Sequence, residues 1–241
     1  MKPFAPVLTL MLIAGGMAAG IAPSAQAQGG PGGGPGGSRQ QGRGFAQPSD
    51  LIAAEIAATR LASDKGQAYA SAQTSVETAQ MFAGIAPTPI NRKAKKVPDP
   101  ATALTWGTQQ VWMACDGSYG GTAGAWRGAA AQGWYATIWQ RQKVGGYKWV
   151  LRHMQASPTL PEAPEWIDAV VGDCPRPGQR AAPVAPQPDP AKDAPVDHQT
   201  GQSRDGTFAW DSAVMDGARV LHLRLKRGGE MTQVLTRRIA P

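Results

Sequence analysis

The chain has 241 residues, a formal net charge of +7, 42% hydrophobic residues and two cysteines. Its one long apolar run lies at the amino terminus, which excludes a protein with several membrane helices. The basic excess lies in the tails and in one loop, while the central part is nearly neutral, so the charge pattern predicts no specific nucleic-acid-binding domain.

The first residues follow the order of a secretory signal peptide. Lys2 precedes an apolar run over residues 3–21, and a short small-residue sequence ends at Ala27. A retained membrane anchor is the alternative, but Gly and Pro residues interrupt the run. Cleavage near Ala27 predicts an exported protein, periplasmic or secreted.

Low-complexity segments divide the rest of the chain. Residues 28–49 are rich in Gly and Pro and predict a flexible tether, and residues 176–205 are rich in Pro and Ala and predict an extended linker. These segments separate a domain over residues 50–175 from a small unit over residues 206–241.

Two helices are predicted at the start of the domain. Ser49 or Asp50 is the expected N-cap of the first helix, and Gly66 ends it. An Ala- and Ser-rich second helix is predicted over residues 67–78. The apolar stripe expected on the first helix consists of Leu51, Ala54, Ala58 and Leu61.

Long antiparallel strands follow the helices, with Asp-Gly and Gly-Gly pairs at two of the turns. The predicted strands are 104–113, 119–127, 133–142 and 147–156. Both faces of the last two strands carry aromatic side chains, so the sheet is either covered on both sides or curved around an apolar cavity. Helices followed by a meander of strands predict an α+β fold.

The last segment predicts a small antiparallel β unit. Its three strands are expected over residues 206–212, 218–226 and 231–239. In the middle strand leucines alternate with polar and basic residues, so one face is apolar and the other basic. Three strands alone are marginally stable, so we expect this unit to dock on the first domain or on a partner.

The two cysteines, Cys115 and Cys174, both lie in the first domain. An even number of cysteines in an exported chain predicts one disulfide. A metal site is the alternative, but no second Cys or His stands at ligand spacing, so no metal is predicted. No Gly-rich segment joins a strand to a helix, so no phosphate-binding loop and no cofactor is predicted either.

Several motifs in the strands carry a family resemblance. They are Val111–Gly117, Gly124–Trp126, Tyr135–Arg141 and Lys148–Leu151, with Asp173-Cys174 closing the domain. With these motifs, residues 50–175 resemble the nuclear-transport-factor-2-like superfamily, in its exported bacterial branch of SnoaL-like and ketosteroid-isomerase-like domains.

The resemblance implies a cone. A curved antiparallel sheet wraps around the N-terminal helices and leaves an apolar pocket at the open end. It also implies a homodimer that pairs through the outer face of the sheet. It does not fix the activity, because the superfamily includes isomerases, dehydratases and hydrolases as well as pure binding modules.

The predicted strands lack the carboxylates that acid–base chemistry in such a pocket usually needs. Relatives commonly carry Asp where this chain has Arg152, so His153 is the candidate catalytic residue. Alternation places His153 on the face of Trp149 and Leu151, which predicts that it points into the pocket with Arg152 on the opposite face. If Arg152 pointed inward instead, the pocket would suit a carboxylate or phosphate rather than proton transfer.

Two functions from different classes follow. The missing carboxylates favour an exported binding or interaction protein that holds a small apolar ligand. The alternative is an isomerase, dehydratase or hydrolase that acts on an apolar or polyketide-like small molecule with His153. The candidate pocket walls are Trp112, Tyr135, Trp149 and Arg152, although tryptophans on strands also fill cores.

A basic loop over residues 90–96 is a further candidate contact. It is either a solvated loop or a binding site for an anionic polymer of the cell envelope. The side chains that would make this contact are Arg92, Lys93, Lys95 and Lys96.

Overall fold

The computed structural model describes residues 46–97, 103–160, 162–175 and 197–240. The predicted signal peptide, nearly all of the tether and most of the linker lie outside the described residues. No described helix is both long and apolar enough to cross a membrane.

Two helices open the described chain, and eleven strands follow them. The helices are α1 (Pro48–Lys65) and α2 (Gln67–Thr74). The first seven strands are β1 (Ser75–Phe82), β2 (Pro87–Thr88), β3 (Thr105–Met113), β4 (Tyr119–Arg127), β5 (Gln132–Arg141), β6 (Tyr147–Ala156) and β7 (Asp168–Val171). The last four are β8 (Gln199–Gln202), β9 (Phe208–Met215), β10 (Ala218–Arg227) and β11 (Glu230–Ile239).

The strands form two sheets, which confirms the α+β class. The larger sheet has the order β2-β1-β6-β5-β4-β3-β7, and the smaller one has the order β11-β10-β9-β8. The larger sheet is mixed rather than purely antiparallel, because β1 runs parallel to β6 and β7 runs parallel to β3. Closure of this sheet into a cone stays a prediction.

The helices differ from the sequence prediction at two ends. The first helix begins at Pro48, with Gln47 rather than Ser49 or Asp50 as N-cap, because proline suits the first helical turn. The second helix ends at Thr74, where the chain turns extended and enters β1, so the helix predicted through residue 78 is wrong there. Pairing of β1 with β6 overrides the helix preference of this Ala-rich segment.

Both faces of the seven-stranded sheet are covered. One face, here the helix face, packs on α1 with a core of Leu51, Val111, Met113, Trp139 and Trp149. The other, here the sheet face, packs on the four-stranded sheet. Its core includes Phe82, Trp112, Ile138, Leu151, Phe208, Leu221, Leu223 and Leu225. The C-terminal unit therefore docks on the chain's own first domain, and it gains a strand, β8, that the sequence did not predict.

A disulfide joins the segments that follow β3 and β7 of the larger sheet, and a polar turn fastens the two sheets together. Cys115 and Cys174 are bonded to each other, as predicted. The turn before β9 caps the same region: the Thr207 hydroxyl accepts from the Cys115 N–H at 2.9 Å, and the Asp205 carboxylate accepts from the Asp116 N–H at 2.8 Å. These bonds hold the C-terminal sheet at the end of β3.

Candidate functional site

The most concentrated chemistry of the described chain is a buried ion pair on the helix face. Glu55 of α1 is 2% exposed and Arg152 of β6 is 3% exposed. Their side chains approach to 3.4 Å between Glu55 Oε2 and Arg152 Nη2. Two opposite charges removed from water in this way require close hydrogen-bond partners, and both have them.

Four side chains donate to the Glu55 carboxylate. Oε1 accepts from the Thr122 hydroxyl at 2.5 Å and from the Trp139 indole N–H at 3.2 Å. Oε2 accepts from the Trp106 indole N–H at 2.6 Å, in addition to Arg152. An ionised carboxylate offers about four lone-pair sites, so this one has little accepting capacity left.

The Arg152 guanidinium is held by polar and aromatic partners. Its Nε donates to the Thr137 hydroxyl at 3.0 Å. Its centre lies 4.9 Å from the centroid of the Trp106 ring and 5.0 Å from that of Trp149, which is cation–π distance. Burial lowers the pKa of Arg152 while Glu55 opposes that shift, and an arginine keeps its proton at neutral pH.

Tyr135 extends the cluster toward the surface. Its hydroxyl lies 3.0 Å from the Thr108 hydroxyl. Burial, reinforced by the Glu55 charge, raises the pKa of Tyr135 well above its ordinary value, so the phenol stays protonated. Trp106 and Thr108 are half-buried, and the cluster reaches solvent beside them.

A β-bulge decides which side chains share this face. The β5–β6 register shifts between two pairs, Ile138 opposite Leu151 and Trp139 opposite Trp149, and leaves Val150 as the extra residue. Alternation restarts after the bulge, so Trp149 and Arg152 both face α1. The prediction that Trp149 shares a face with Leu151 and His153 is therefore wrong.

His153 points away from α1, into the interface between the sheets. Its Nε2 lies 3.1 Å from the Ser212 hydroxyl, and its ring meets the Phe82 ring edge-on at 5.3 Å. Burial, with a smaller contribution from Arg219, lowers the pKa of His153 to about 3. The predicted inward orientation is wrong, and the catalytic hypothesis for His153 depended on it.

The residues predicted to form the pocket walls lie on two different faces of the larger sheet. Tyr135, Trp149 and Arg152 come together on the helix face around Glu55. Trp112 lies on the opposite face, packed in the apolar core between the two sheets. These residues therefore do not line one cavity.

Some side chains of the basic loop already contact other residues of the same chain. Arg92 donates to the carbonyls of Ala72, Val76 and Glu77 and to the Ser75 hydroxyl, which ties the loop to the end of α2 and the start of β1. The Lys96 ammonium lies 5.7 Å from the centroid of the Tyr69 ring. Lys93 is exposed, and Lys95 lines a shallow surface groove.

Sequence reasoning missed Glu55 because it searched the strands for carboxylates. The signal lies in the helix: the buried residues of α1 are Leu51, Glu55, Ala58 and Ala62. Their spacing of four, three and four is that of one helix face. A single carboxylate in such a stripe marks a buried charge that must find a partner.

No family model matches the chain, and no curated protein matches it. Within the part of the chain that the structure describes, no three His, Cys, Asp or Glu side chains come together in a way that could hold a metal ion.

Proposed function

We propose that this protein is an exported binding or interaction protein whose α+β domain is built without a proton-transfer site. The observation that carries the proposal is the occupancy of the Glu55 carboxylate by four donors. A general base needs a free lone pair within hydrogen-bond reach of a substrate. Glu55 offers its lone pairs to Thr122, Trp106, Trp139 and Arg152 instead.

The other titratable candidates support the same reading. Arg152 cannot exchange its proton near neutral pH. His153 is fully buried between the sheets, away from the helix face. Its lowered pKa keeps the imidazole neutral at pH 7. The Glu55–Arg152 pair then serves to fix α1 on the sheet, in a domain whose surface makes the functional contacts.

Export rests on the amino-terminal sequence and is compatible with the disulfide. A bond between Cys115 and Cys174 persists in oxidising compartments and is rare in the cytosol of mesophiles. In this proposal the domain is a nuclear-transport-factor-2-like cone filled largely by its own side chains. Among the described residues, the half-buried edge near Trp106 is where a small apolar ligand would then enter.

The proposal also leaves a limited role for the basic loop. Because the Arg92 guanidinium binds the end of α2 and the start of β1, contact with an anionic envelope polymer would rest on Lys93 and Lys95, with Lys96 over Tyr69. Three exposed lysines give a weak, salt-sensitive attraction.

Native mass spectrometry of the protein purified from its own cell envelope tests this function. We expect a complex with a partner protein and no stoichiometric small molecule. A small molecule that is retained by the wild type, turned over on incubation and released by Glu55→Gln would overturn the proposal in favour of the enzyme alternative. Arg60→Gln, an exposed change on the outer side of α1, is the control.

A further inference from the structure

A surface loop just before β7 exposes large apolar side chains. Trp166 is 77% exposed and Ile167 is 41% exposed. Trp is rarely left in water to this extent, and it is the residue most enriched at energetic centres of protein interfaces. Pro164, two residues earlier, fixes its own φ angle, so the loop loses less backbone entropy when a partner orders it.

A groove lined by both apolar and polar residues lies beside this tryptophan. It has a cavity of about 190 Å³ and lies between the loop and the start of β3, with Gly107, Ala125, Pro164 and Ile167 among its lining residues. A Cβ on Gly107 would meet nothing within 4 Å, so the floor of the groove is open to an incoming side chain.

The charge around the groove is mainly negative. Glu162, Glu165 and Asp168 flank Trp166 within seven consecutive residues, and all three are exposed. They form no ion pair with any described residue. Among the described residues that line the groove, Arg127 is the one basic side chain, so the net charge of the surface stays negative.

We infer that this surface, Trp166 with its groove and three carboxylates, is the docking site for a basic segment of another protein. A lysine or arginine of the partner would lie on the Trp166 ring, where a cation–π contact contributes about 0.5–1 kcal/mol at an exposed site. Neighbouring basic groups meet the carboxylates, and an aliphatic side chain fills the groove over Gly107. Charge complementarity selects this occupant over nucleic acid or an anionic lipid surface, which the carboxylates would repel.

The inference rests on the proposed function and names the kind of partner that the interaction protein takes. β7 is the last strand of its sheet, so an extended segment that reaches Trp166 also reaches a sheet edge. A second copy of this chain, bound through its own basic loop at residues 90–96, is the competing occupant that the experiment must separate.

The test measures binding of a labelled peptide to the oxidised full-length chain by fluorescence anisotropy at low salt. The peptide has about ten residues, with four lysines and two leucines. The matched peptide has glutamate in place of lysine. Trp166→Ala and the triple variant Glu162→Gln/Glu165→Gln/Asp168→Asn test the surface. Met231→Ala and Glu230→Gln, exposed changes on the C-terminal sheet, are their controls.

We expect the lysine peptide to bind, the glutamate peptide not to bind, and added salt to weaken binding. Trp166→Ala should weaken binding at least about tenfold, as truncation of an interface anchor does. The triple variant should weaken binding and remove most of its salt dependence, while both controls bind as the wild type does.

Equal binding of the two peptides, no binding at low salt, or unchanged affinity in Trp166→Ala would each overturn the inference. So would self-association of the wild-type chain that both Lys93→Gln/Lys95→Gln and Trp166→Ala abolish, because it assigns the surface to a second copy. None of these results bears on the Glu55 carboxylate, so the proposed non-catalytic function is judged separately by its own experiment.

Discussion

His153 makes a sharp prediction about acid stability. In the unfolded chain its pKa is near the ordinary value of 6.5, whereas burial between the sheets lowers the pKa to about 3 in the fold. Below pH 6.5 the unfolded chain therefore binds a proton at His153 that the folded chain does not bind. Stability from this residue is complete above pH 6.5 and is lost progressively as the pH falls toward 3.

The magnitude follows from the pKa difference. At pH 5 the solution is about 1.5 pH units below the unfolded pKa and still well above the folded pKa. Each unit is worth about 1.4 kcal/mol, so the folded chain loses about 2 kcal/mol between pH 7 and pH 5 through His153 alone. The charged group nearby, Arg219, acts in the same direction because it disfavours an imidazolium.

The assay is urea unfolding of the disulfide-intact protein at pH 7 and pH 5. His153→Gln keeps a group that can hydrogen-bond to Ser212 but cannot titrate, so its free energy of unfolding should fall by about 2 kcal/mol less than that of the wild type over this interval. His198→Gln, an exposed histidine, is the control and should behave like the wild type. The same pH dependence in wild type and His153→Gln would refute the reasoning.

The other predictions concern the polar contacts that hold the fold. Glu55→Gln leaves the buried Arg152 without its counter-ion and should lower the free energy of unfolding by about 3–5 kcal/mol in urea, and a loss under about 1 kcal/mol would mean that water reaches the pair. Reducing Cys115–Cys174, which are separated by 59 residues, should cost about 4 kcal/mol on the chain-entropy estimate. Alkylation of both thiols without reductant would contradict the bond. Asp205→Ala should increase amide hydrogen exchange in β9 and β10, and unchanged exchange would show that the turn is not needed for docking.

Local sequence signals predicted the hairpins well because their turns need special backbone angles. Gly145 and Gly146 adopt positive φ angles of 90° and 70°, and Asp216 with Gly217 does the same at the β9–β10 turn. Few residue types tolerate these angles, so the residues at the turn predict it from the sequence. Each hairpin then follows from two runs of strand-forming residues beside such a turn.

The sheet face on which each side chain lies could not be predicted from such turn signals. The bulge at Val150 lies in a run of strand-forming residues and has no Gly or Pro to mark it. One extra residue moves every later side chain to the other face, so Arg152 and His153 exchanged their expected positions. The partners of Arg152 are distant in sequence, with Glu55 on α1, and only the packed fold brings them together.

The parallel strands were missed for a related reason. β1 has no turn signal that links it to β6, and its sequence from Ser75 onward is Gln- and Ala-containing rather than strongly β-branched. Its pairing is fixed by residues about 75 positions away: Ser75 lies opposite Trp149, whose indole N–H also donates to the hydroxyl of Thr74 at the end of α2, at 3.0 Å. The hydrophobic periodicity of a segment does not predict such contacts.

The C-terminal sheet also bears on the expected homodimer. The resemblance implied pairing through the outer face of the larger sheet, and in this chain the sheet face is occupied by Leu221, Leu223 and Leu225 of β10, each 0% exposed. Full burial of a leucine contributes about 1.5–3 kcal/mol, so exposing these three alone would cost about 5–9 kcal/mol. Opening the backbone bonds at Lys226 and the Asp205 turn adds to that cost. A dimer through this face would have to recover all of it, so the burial of these leucines argues against pairing there, and a homodimer through another surface stays a prediction.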